Sequence, residues 1–345
     1  MINHDISLTG SPHRQPAISA ITVAYNAGDD IAHCLAPLVA MRARGEIAEV
    51  IVVDDASSDD TASKARRHGA DRIERLVDQH GAAGARNIGA RISRGDIIWF
   101  VDADVVVHDD AARVLNHVLT DRTIDAVFGS YGDRPTQPNF LSQYKNLIHH
   151  DTHQRSAGDA TTFWTGCGAV RRAAFERIDG FDAERFRHMG MEDIDFGYRL
   201  NAAGASIRLE PALQGEHRKR WMLINLLRVE IFHRALPWSR LMLENDQAAP
   251  TLNIDHGERI RALLAGCVVL AFILAPLTGA WLIVVVCLIV VLANRRLLRF
   301  FYDKRGAWFA VRALLFHQLY YLYSSTTFVY AWIEKRLDLK PASVS

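Results

Sequence analysis

Four short segments of this chain gather side chains that can hold a cation, grip a phosphate or move a proton. The first is Asp102-Ala-Asp104. Two carboxylates at i and i+2 after a strand can turn towards one hard cation; Mg²⁺ and Mn²⁺ prefer such oxygen ligands and share them with substrate phosphates. Asp193-Ile-Asp195 repeats the spacing, so the pattern alone selects nothing. The first copy stands apart because it closes an apolar run, Asp96–Val101 (DIIWFV). The second segment is Gly81-Ala-Ala-Gly84-Ala-Arg86-Asn87. Its small residues permit close backbone approach and its arginine can pair with a phosphate, although an ordinary helix start reads the same way. The third, Met191-Glu192-Asp193, follows Gly190. A carboxylate there can deprotonate an acceptor hydroxyl, or can serve only the helix macrodipole. The fourth is His217-Arg218-Lys219-Arg220-Trp221, an imidazole able to complete a metal shell beside cations able to neutralise a leaving diphosphate. Its alternative is a basic run facing a membrane.

These groups need a scaffold that brings them together. Ile18–Tyr25, Glu49–Val53, Asp96–Val101 and the run from Ala126 to Phe128 read as buried strands. Helical stretches alternate with them: one within 26–41, one from Ser57 to His68 with Ser57, Ser58 and Asp59 as caps, then Gly84 to Ile92 and Asp109 to Leu119. This alternation predicts an α/β chain with a mostly parallel central sheet covered on both faces. Ligands of such sheets bind outside the carboxyl ends of the strands. Three strands here end in polar residues, Tyr25-Asn26, Asp54-Asp55 and Asp102-Ala-Asp104. Carboxylates on adjacent strand ends repel unless a cation or donor groups lie between them. Further on, 131–162 is a polar excursion around a helix Phe140–His150, and Met191–Ala203 is an amphipathic helix with an acidic first turn.

The chain has 345 residues, about two units at roughly 150 each. A composition of 49% hydrophobic and 23% charged residues excludes a disordered chain. The net charge of +1 lacks the basic excess of a nucleic-acid binder. That balance is uneven, however. Residues 259–345 carry 11 Lys/Arg against 3 Asp/Glu, leaving 29 basic and 36 acidic residues before them. An acidic soluble part therefore precedes a basic, apolar tail that points to a membrane. Cys34, Cys167, Cys267 and Cys287 form no CxxC pair; they read as buried small hydrophobes in a reducing compartment. Residues 1–16 read as a flexible leader, polar and interrupted by Pro12 and Pro16, and not as a signal peptide. Residues 218–258 form a basic amphipathic segment: 218–240 holds six Lys/Arg and one Glu among Trp221, Leu223, Ile224, Phe232 and Trp238, the make-up of an in-plane interfacial helix. Residues 259–345 form the membrane region. Its uncharged stretch 262–293 is interrupted by Pro276 and Gly279 and reads as a hairpin with legs of roughly 15–17 residues, so that both basic ends lie on the cytoplasmic side. A third segment, about 308–333, either spans or lies in the interface.

Taken in order, the motifs resemble the family 2 glycosyltransferases and their GT-A nucleotide-sugar-binding fold. TVAYNAG resembles the family's opening strand and loop; VVDDASSDDT resembles its second-strand signature, with Ala56 where glycine is usual. GAAGARNIG resembles its GxxxARNxG segment, FVDADV carries its DxD element, and GCGAVRRAAFERIDGFD with MEDIDFGYRL resembles its acceptor-side helix and ED motif. The resemblance covers about 18–221 and implies a GT-A catalytic domain over 17–217. It implies roles as well. Asp54 contacts the nucleobase, with Tyr25 and Asn26 lining the same pocket. Arg86 approaches the diphosphate or base. Asp102 faces ribose or metal, Asp104 binds the divalent Mn or Mg ion, and Asp193 is the base with Glu192 beside it. His217 to Trp221 falls where processive members carry Gln-x-x-Arg-Trp. Arg220 and Trp221 match that motif and join the nucleotide-sugar site, whereas His217 replaces its glutamine, which fits a metal ligand of a non-processive enzyme. The implied reaction is inverting transfer from a nucleotide sugar to an acceptor hydroxyl or phosphate, with a lipid-linked or membrane acceptor in polysaccharide or glycolipid synthesis. Two other readings are a nucleotidyltransferase, disfavoured because the loop after the first strand is AYNAGDD and lacks a Gly/Arg/Lys phosphate loop, and a membrane scaffold with a degenerate transferase domain, disfavoured by intact Asp102, Asp104 and Asp193.

Overall fold

The computed structural model describes residues 16–187, 190–244 and 256–339. The expected leader, but for its last residue, and part of the 218–258 segment lie outside the described residues. In the first half, strands and helices alternate: β1 (Ile18–Ala24), α1 (Ile31–Ala43), β2 (Glu49–Asp54), α2 (Thr61–Arg67), β3 (Arg72–Arg75), α3 (Gly81–Ile92), β4 (Ile97–Val101), β5 (Val105–Val107), α4 (Ala111–Val118) and β6 (Ala126–Tyr131). The second half adds α5 (Phe140–Arg155), β7 (Gly158–Ala160), β8 (Cys167–Arg171), α6 (Arg172–Arg177), α7 (Glu192–Ala202) and β9 (Ile207–His217).

The strands form one nine-stranded sheet in the order β3-β2-β1-β4-β8-β6-β9-β5, with β7 beside β9. β1 to β4 run parallel to one another; β8 is antiparallel between β4 and β6, β9 returns parallel to β6, and β5 and β7 oppose β9. Most strands thus point one way, and the sheet is mostly parallel. β1, β2 and β4 are apolar on both faces because both faces are covered. Ile18, Val50, Val52 and Trp99 pack against α1 and α4, while Ile21, Ile51, Val53 and Phe100 pack against α3, α6 and α7.

Several boundaries differ from the sequence reading. α2 starts at Thr61 and not at Ser57, because 57–60 is held as a loop. Asp54 Oδ1 accepts the Ser57 N–H, and Asp59 accepts from Gly28 N, Thr61 N and Thr61 Oγ1. α3 starts earlier, at Gly81, whose φ of +72° and a would-be Cβ only 2.2 Å from Arg187 O leave room for glycine alone. β3 (RIER) is a polar edge strand with no apolar signal, and β9 carries Pro211 in a ladder whose register with β6 shifts. The segment beginning GCGAVRR opens as strand β8 before its helix starts at Arg172.

Beyond the sheet lie α8 (Leu223–Arg228), a π-helical stretch Val229–Ala235, α9 (Leu236–Glu244), α10 (His256–Thr278), α11 (Trp281–Ala293), α12 (Arg295–Arg305) and α13 (Ala307–Arg336). Among the described residues one helix, α10 over 257–278, is long and apolar enough to cross a membrane; α11 and α12 reach that length only together, across a 68° bend. The chain turns at Gly279 (φ +80°), while Pro276 stays inside α10. The first leg is therefore longer than the hairpin reading expected. The third segment belongs to α13, which docks on the α/β domain. Phe301, Ala310 and Ala313 bury against Tyr144 and Leu147 of α5; Tyr144 Oη and His317 Nδ1 are 2.7 Å apart; Lys304 Nζ donates to Asp133 at 2.6 Å; Arg240 grips Glu334 with two bonds of 2.9 Å.

Candidate active site

β5 pairs antiparallel with β9 so that Val105 stands opposite His217. That register sets Asp104, one residue before β5, beside the imidazole that ends β9: His217 Nε2 lies 3.3 Å from Asp104 Oδ2, and Arg218 N donates to Asp104 O at 2.9 Å. Burial acts to raise the Asp104 carboxyl, but His217, and after it Lys219, outweigh it and hold the group below the usual carboxylate range. Tyr131 stacks on His217 at 4.7 Å and fixes the ring plane.

Asp102 turns the other way. Its Oδ1 accepts from Arg86 Nη2 at 2.8 Å, and Arg86 Nη1 donates to Glu192 Oε1 at 2.8 Å. Arg86, expected against the diphosphate, instead spends both terminal nitrogens on carboxylates from the end of β4 and the start of α7. α3 can carry it there because it lies close on the sheet: a Cβ on Gly89 would sit 2.5 Å from Ile21 Cγ2. Glu192 is therefore buried and paired; it and Asp193 both line the cavity, and Asp193 is the less buried of the two. Asp193 Oδ1 accepts the Ile194 N–H at 2.8 Å. Burial, and next the Glu192 charge, push its pKa up, against the pull of Arg86 and Arg234, to about 7. Such a carboxyl accepts a proton readily near neutrality.

The residues expected around the nucleobase cluster at the ends of β1 and β2. Tyr25 is exposed, and Asn26 takes a φ of +47°, which asparagine tolerates. Asn26 Oδ1 accepts from Ser58 N and Oγ and its N–H donates to Ser57 Oγ, so it shapes the 57–58 loop. Asp54 is wholly buried; Oδ1 serves the Ser57 N–H, and Oδ2 lies 3.5 Å from Arg75 Nε. Asp55 caps α3 by accepting from His80 N and Gly81 N. Backbone donors therefore hold Asp55 and one oxygen of Asp54, while Asp54 Oδ2 is buried without a hydrogen bond and has only the ion pair with Arg75, an arginine that the sequence reading did not single out.

A cavity of about 1040 Å³ opens from Arg86, Asp102, Asp104, Asp193 and His217 towards α8, α10 and α13. Tyr25, Asn26, Asp54 and Arg220 are not among its lining residues. Trp221 is: it is buried, its N–H donates to Ser142 Oγ, and Lys219 Nζ sits 4.7 Å above its ring. Arg220, expected at the donor, is exposed. The sequence reading missed Lys145, His149 and Arg234, which reach the cavity from α5 and the π-helical stretch. Glu230 and Arg234, an i,i+4 pair inside a basic run, were the readable trace of one of them.

The three expected metal ligands do not converge: among the described residues no three His, Cys, Asp or Glu side chains close on one point. Asp104 and His217 alone suit a cation such as Mg²⁺ or Mn²⁺, which takes one or two protein ligands and completes its shell with phosphate and water oxygens. Asp102 stays with Arg86.

The comparisons agree with this fold. The profile of "Glycosyl transferase family 2" matches residues 19–179, and that of "N-terminal domain of galactosyltransferase" matches 148–220. The chain is 35% identical over 210 residues to Glycosyltransferase AglE of Haloferax volcanii, covering 57% of this chain and 67% of that one. It is 28% identical over 232 residues to Validoxylamine A glucosyltransferase of Streptomyces hygroscopicus subsp. limoneus, covering 57% of this chain and 50% of that protein. The chain thus spans about half the length of the two Streptomyces relatives it matches. The solved mannosyltransferase PcManGT of Pyrobaculum calidifontis, in complex with GDP-Man and Mn²⁺, superposes with a TM-score of 0.56 at 19% identity over 95% of this chain and 89% of that one. The fold is the GT-A-like α/β arrangement, and the chain belongs to glycosyl transferase family 2.

Proposed function

We propose that this protein moves a sugar from a nucleotide sugar to an acceptor held at a membrane, with inversion at the anomeric carbon. The observation that carries the reading is one cavity lined by Asp193, with its raised proton affinity, and by the Asp104–His217 pair. Tyr25, Asn26 and Asp54 at the ends of β1 and β2 take the nucleoside side of the donor. Asp104 and His217 hold a divalent cation, Mn²⁺ or Mg²⁺, as the relative solved with GDP-Man and Mn²⁺ suggests. That ion, when bound, draws off negative charge growing on the departing diphosphate. Lys219, beside Asp104, adds positive charge there, with Arg220 next along the chain. Asp193 takes the proton of the acceptor hydroxyl as that oxygen attacks from the face opposite the leaving group. Arg86 is a positioning residue: it keeps Glu192 and Asp102 apart from one another and from Asp193.

Residues 17–217 act as the catalytic unit, 218–258 as the interfacial segment and 259–345 as the membrane region. Exposed Met222, Leu223, Ile224 and Phe232, and Leu263, Phe272, Ile273 and Leu277 along α10, support a lipid-facing surface. Arg259 and Arg261 at one end of the α10–α11 pair and Arg295, Arg296 and Arg299 at the other favour a cytoplasmic catalytic face. The cavity reaches α10 and α13, which favours a lipid-linked acceptor. The test is a donor screen on the detergent-solubilised full chain, with Mn²⁺, Mg²⁺ or chelator and with membrane lipids present or absent. Metal-dependent nucleoside diphosphate release with a glycosylated lipid product is expected, and Asp193→Asn abolishes transfer while retaining donor binding. Retained transfer in that variant, or transfer undiminished by chelator, would overturn the assignment.

A further inference from the structure

The transferase reading leaves one cation of the cavity, Arg234, without a task. Arg234 projects from the π-helical stretch into the cavity with its side chain 45% exposed. Its Nε lies 3.6 Å from Glu230, and that carboxylate is already paired at 2.7 Å with Lys145 Nζ of α5. Two cations therefore share the Glu230 carboxylate, and Arg234 makes no hydrogen bond to it. Arg234 is within electrostatic reach of Asp193 and Tyr131, whereas Asp104 answers to His217 and Lys219. Arg234 thus stands in the same cavity as the base, and no ion pair links it to Asp104 or His217 among the described residues. The walls beyond it are mostly apolar, with Leu226, Val229 and Trp238, then Leu263 of α10 and Phe328 of α13, although Ser324 and Ser325 also line them. Leu263 and Phe328 are also 71% and 40% exposed, so the apolar wall runs on to the outer surface of the helices.

A cationic fork at the inner end of an apolar channel is complementary to an amphiphile with an anionic head. A neutral lipid head would leave the guanidinium facing a partner that offers it no charge as the cavity dries. Resting on the transferase reading, we propose that Arg234, steadied by Glu230 and Lys145, binds the phosphate of a lipid-phosphate acceptor. The hydrocarbon chain leaves along α10 and α13, and the hydroxyl of the phosphate-linked headgroup reaches Asp193.

Trp164, Trp221 and Trp238 line the same cavity, so tryptophan fluorescence of the full chain in neutral detergent reads its occupancy. The probes are farnesyl phosphate, farnesol and inorganic phosphate. Farnesyl phosphate is expected to bind about 10- to 100-fold more tightly than farnesol, the range of hydrogen bonds to a charged group. Arg234→Gln removes that preference, Arg234→Lys keeps part of it, and unchanged farnesol binding reports that the variants are folded. Equal affinity for farnesol and farnesyl phosphate, or a preference that survives Arg234→Gln, overturns the proposal. Displacement of farnesyl phosphate by equimolar inorganic phosphate overturns the lipid source of the phosphate. Metal-dependent nucleoside diphosphate release on the same preparation separates the two readings. Release without a phosphate preference overturns only the acceptor site, and absence of both overturns the reaction as well.

Discussion

Arg86→Met and Glu192→Gln act on one ionisation with opposite signs. In the proposed mechanism Asp193 works as a base only when deprotonated, and burial with the Glu192 charge lifts its pKa to about 7. The rate at limiting donor and acceptor therefore rises with pH and levels off above about 7; one unit below that value it is lower by roughly ten-fold. Glu192→Gln deletes the nearest like charge, so the acid limb moves down. Arg86→Met deletes the cation that opposes the shift and unpairs Glu192 and Asp102 beside Asp193, so the limb moves up. A displacement of one unit corresponds to about 1.4 kcal/mol, a reasonable size for a charge in the first layer around a buried carboxyl. The arginine variant also pays in stability. Its side chain is 7% exposed and Glu192 10%, and breaking such a buried pair costs about 3–5 kcal/mol; Asp102, at 35%, is partly screened, which favours the lower figure. The assay is kcat/KM for donor-dependent diphosphate release between about pH 5 and 9, beside chemical denaturation of each variant. Limbs that move in the same direction, or that stay with wild type in both variants, would refute Asp193 as the titrating base.

Asp193→Asn should stabilise the fold while it removes activity. A carboxyl whose folded pKa exceeds its unfolded value of about 3.9 contributes stability when protonated; that contribution is complete below about pH 4 and is lost as the pH rises through about 7. At pH 8 the asparagine variant is then more stable than wild type by roughly 2–4 kcal/mol, measured by denaturant midpoint, and the gap closes towards pH 4. Ala56 holds a φ of +62°, so Ala56→Gly should gain about 1 kcal/mol; a loss of stability would show that the left-handed turn carries no strain. Phe301→Ala, at the 1%-exposed contact with α5, should cost about 3–5 kcal/mol and open the α12–α13 junction to limited proteolysis; a wild-type cleavage pattern would show that these helices are not held by that ring.

The sequence made Asp104 and Asp193 visible because each sits at the edge of a local pattern, an apolar strand or a helix start, and His217 visible as the head of a basic run that falls at a family motif. It could not show where Arg86 points. Its partners stand 16 and 106 residues away, and only the packing of α3 against the sheet and α7 decides that the guanidinium meets carboxylates. β3 and β9 escaped notice for a related reason: an edge strand of Arg, Ile and Glu and a strand carrying Pro211 have tertiary partners but little periodicity. Ala56 is instructive in the other direction. Its departure from the family's glycine was legible as a letter, and the backbone angle supplies the physical reason glycine is usual there. Composition left the third segment of the tail open between spanning and lying in the interface. α13 contains apolar runs, yet Arg312, His317 and Gln318 interrupt them, and His317 meets Tyr144 of the α/β domain across 173 residues.

That contact changes what the C-terminal region does for the site. α5 presents Tyr144 and Leu147 to Phe301, Ala310 and Ala313, while Lys145, His149 and His153 of the same helix line the cavity. Burial pushes the His149 imidazole well below its ordinary value and His153 to about 4, so both are neutral at physiological pH and leave Lys145 and Arg234 as the charges an acceptor meets from that side. Lys304 and Arg305, at the end of α12, tie back to Asp133 on the chain leading into α5. One helix is therefore the floor on which α12 and α13 rest and a wall of the cavity in which the proposed acceptor binds. A membrane tether joined through a flexible linker would leave catalysis toward a water-soluble acceptor unchanged when removed. Here, loss of α12 and α13 strips a hydrophobic cover from α5 and the far wall from the cavity in the same step, so acceptor binding and anchoring fail together.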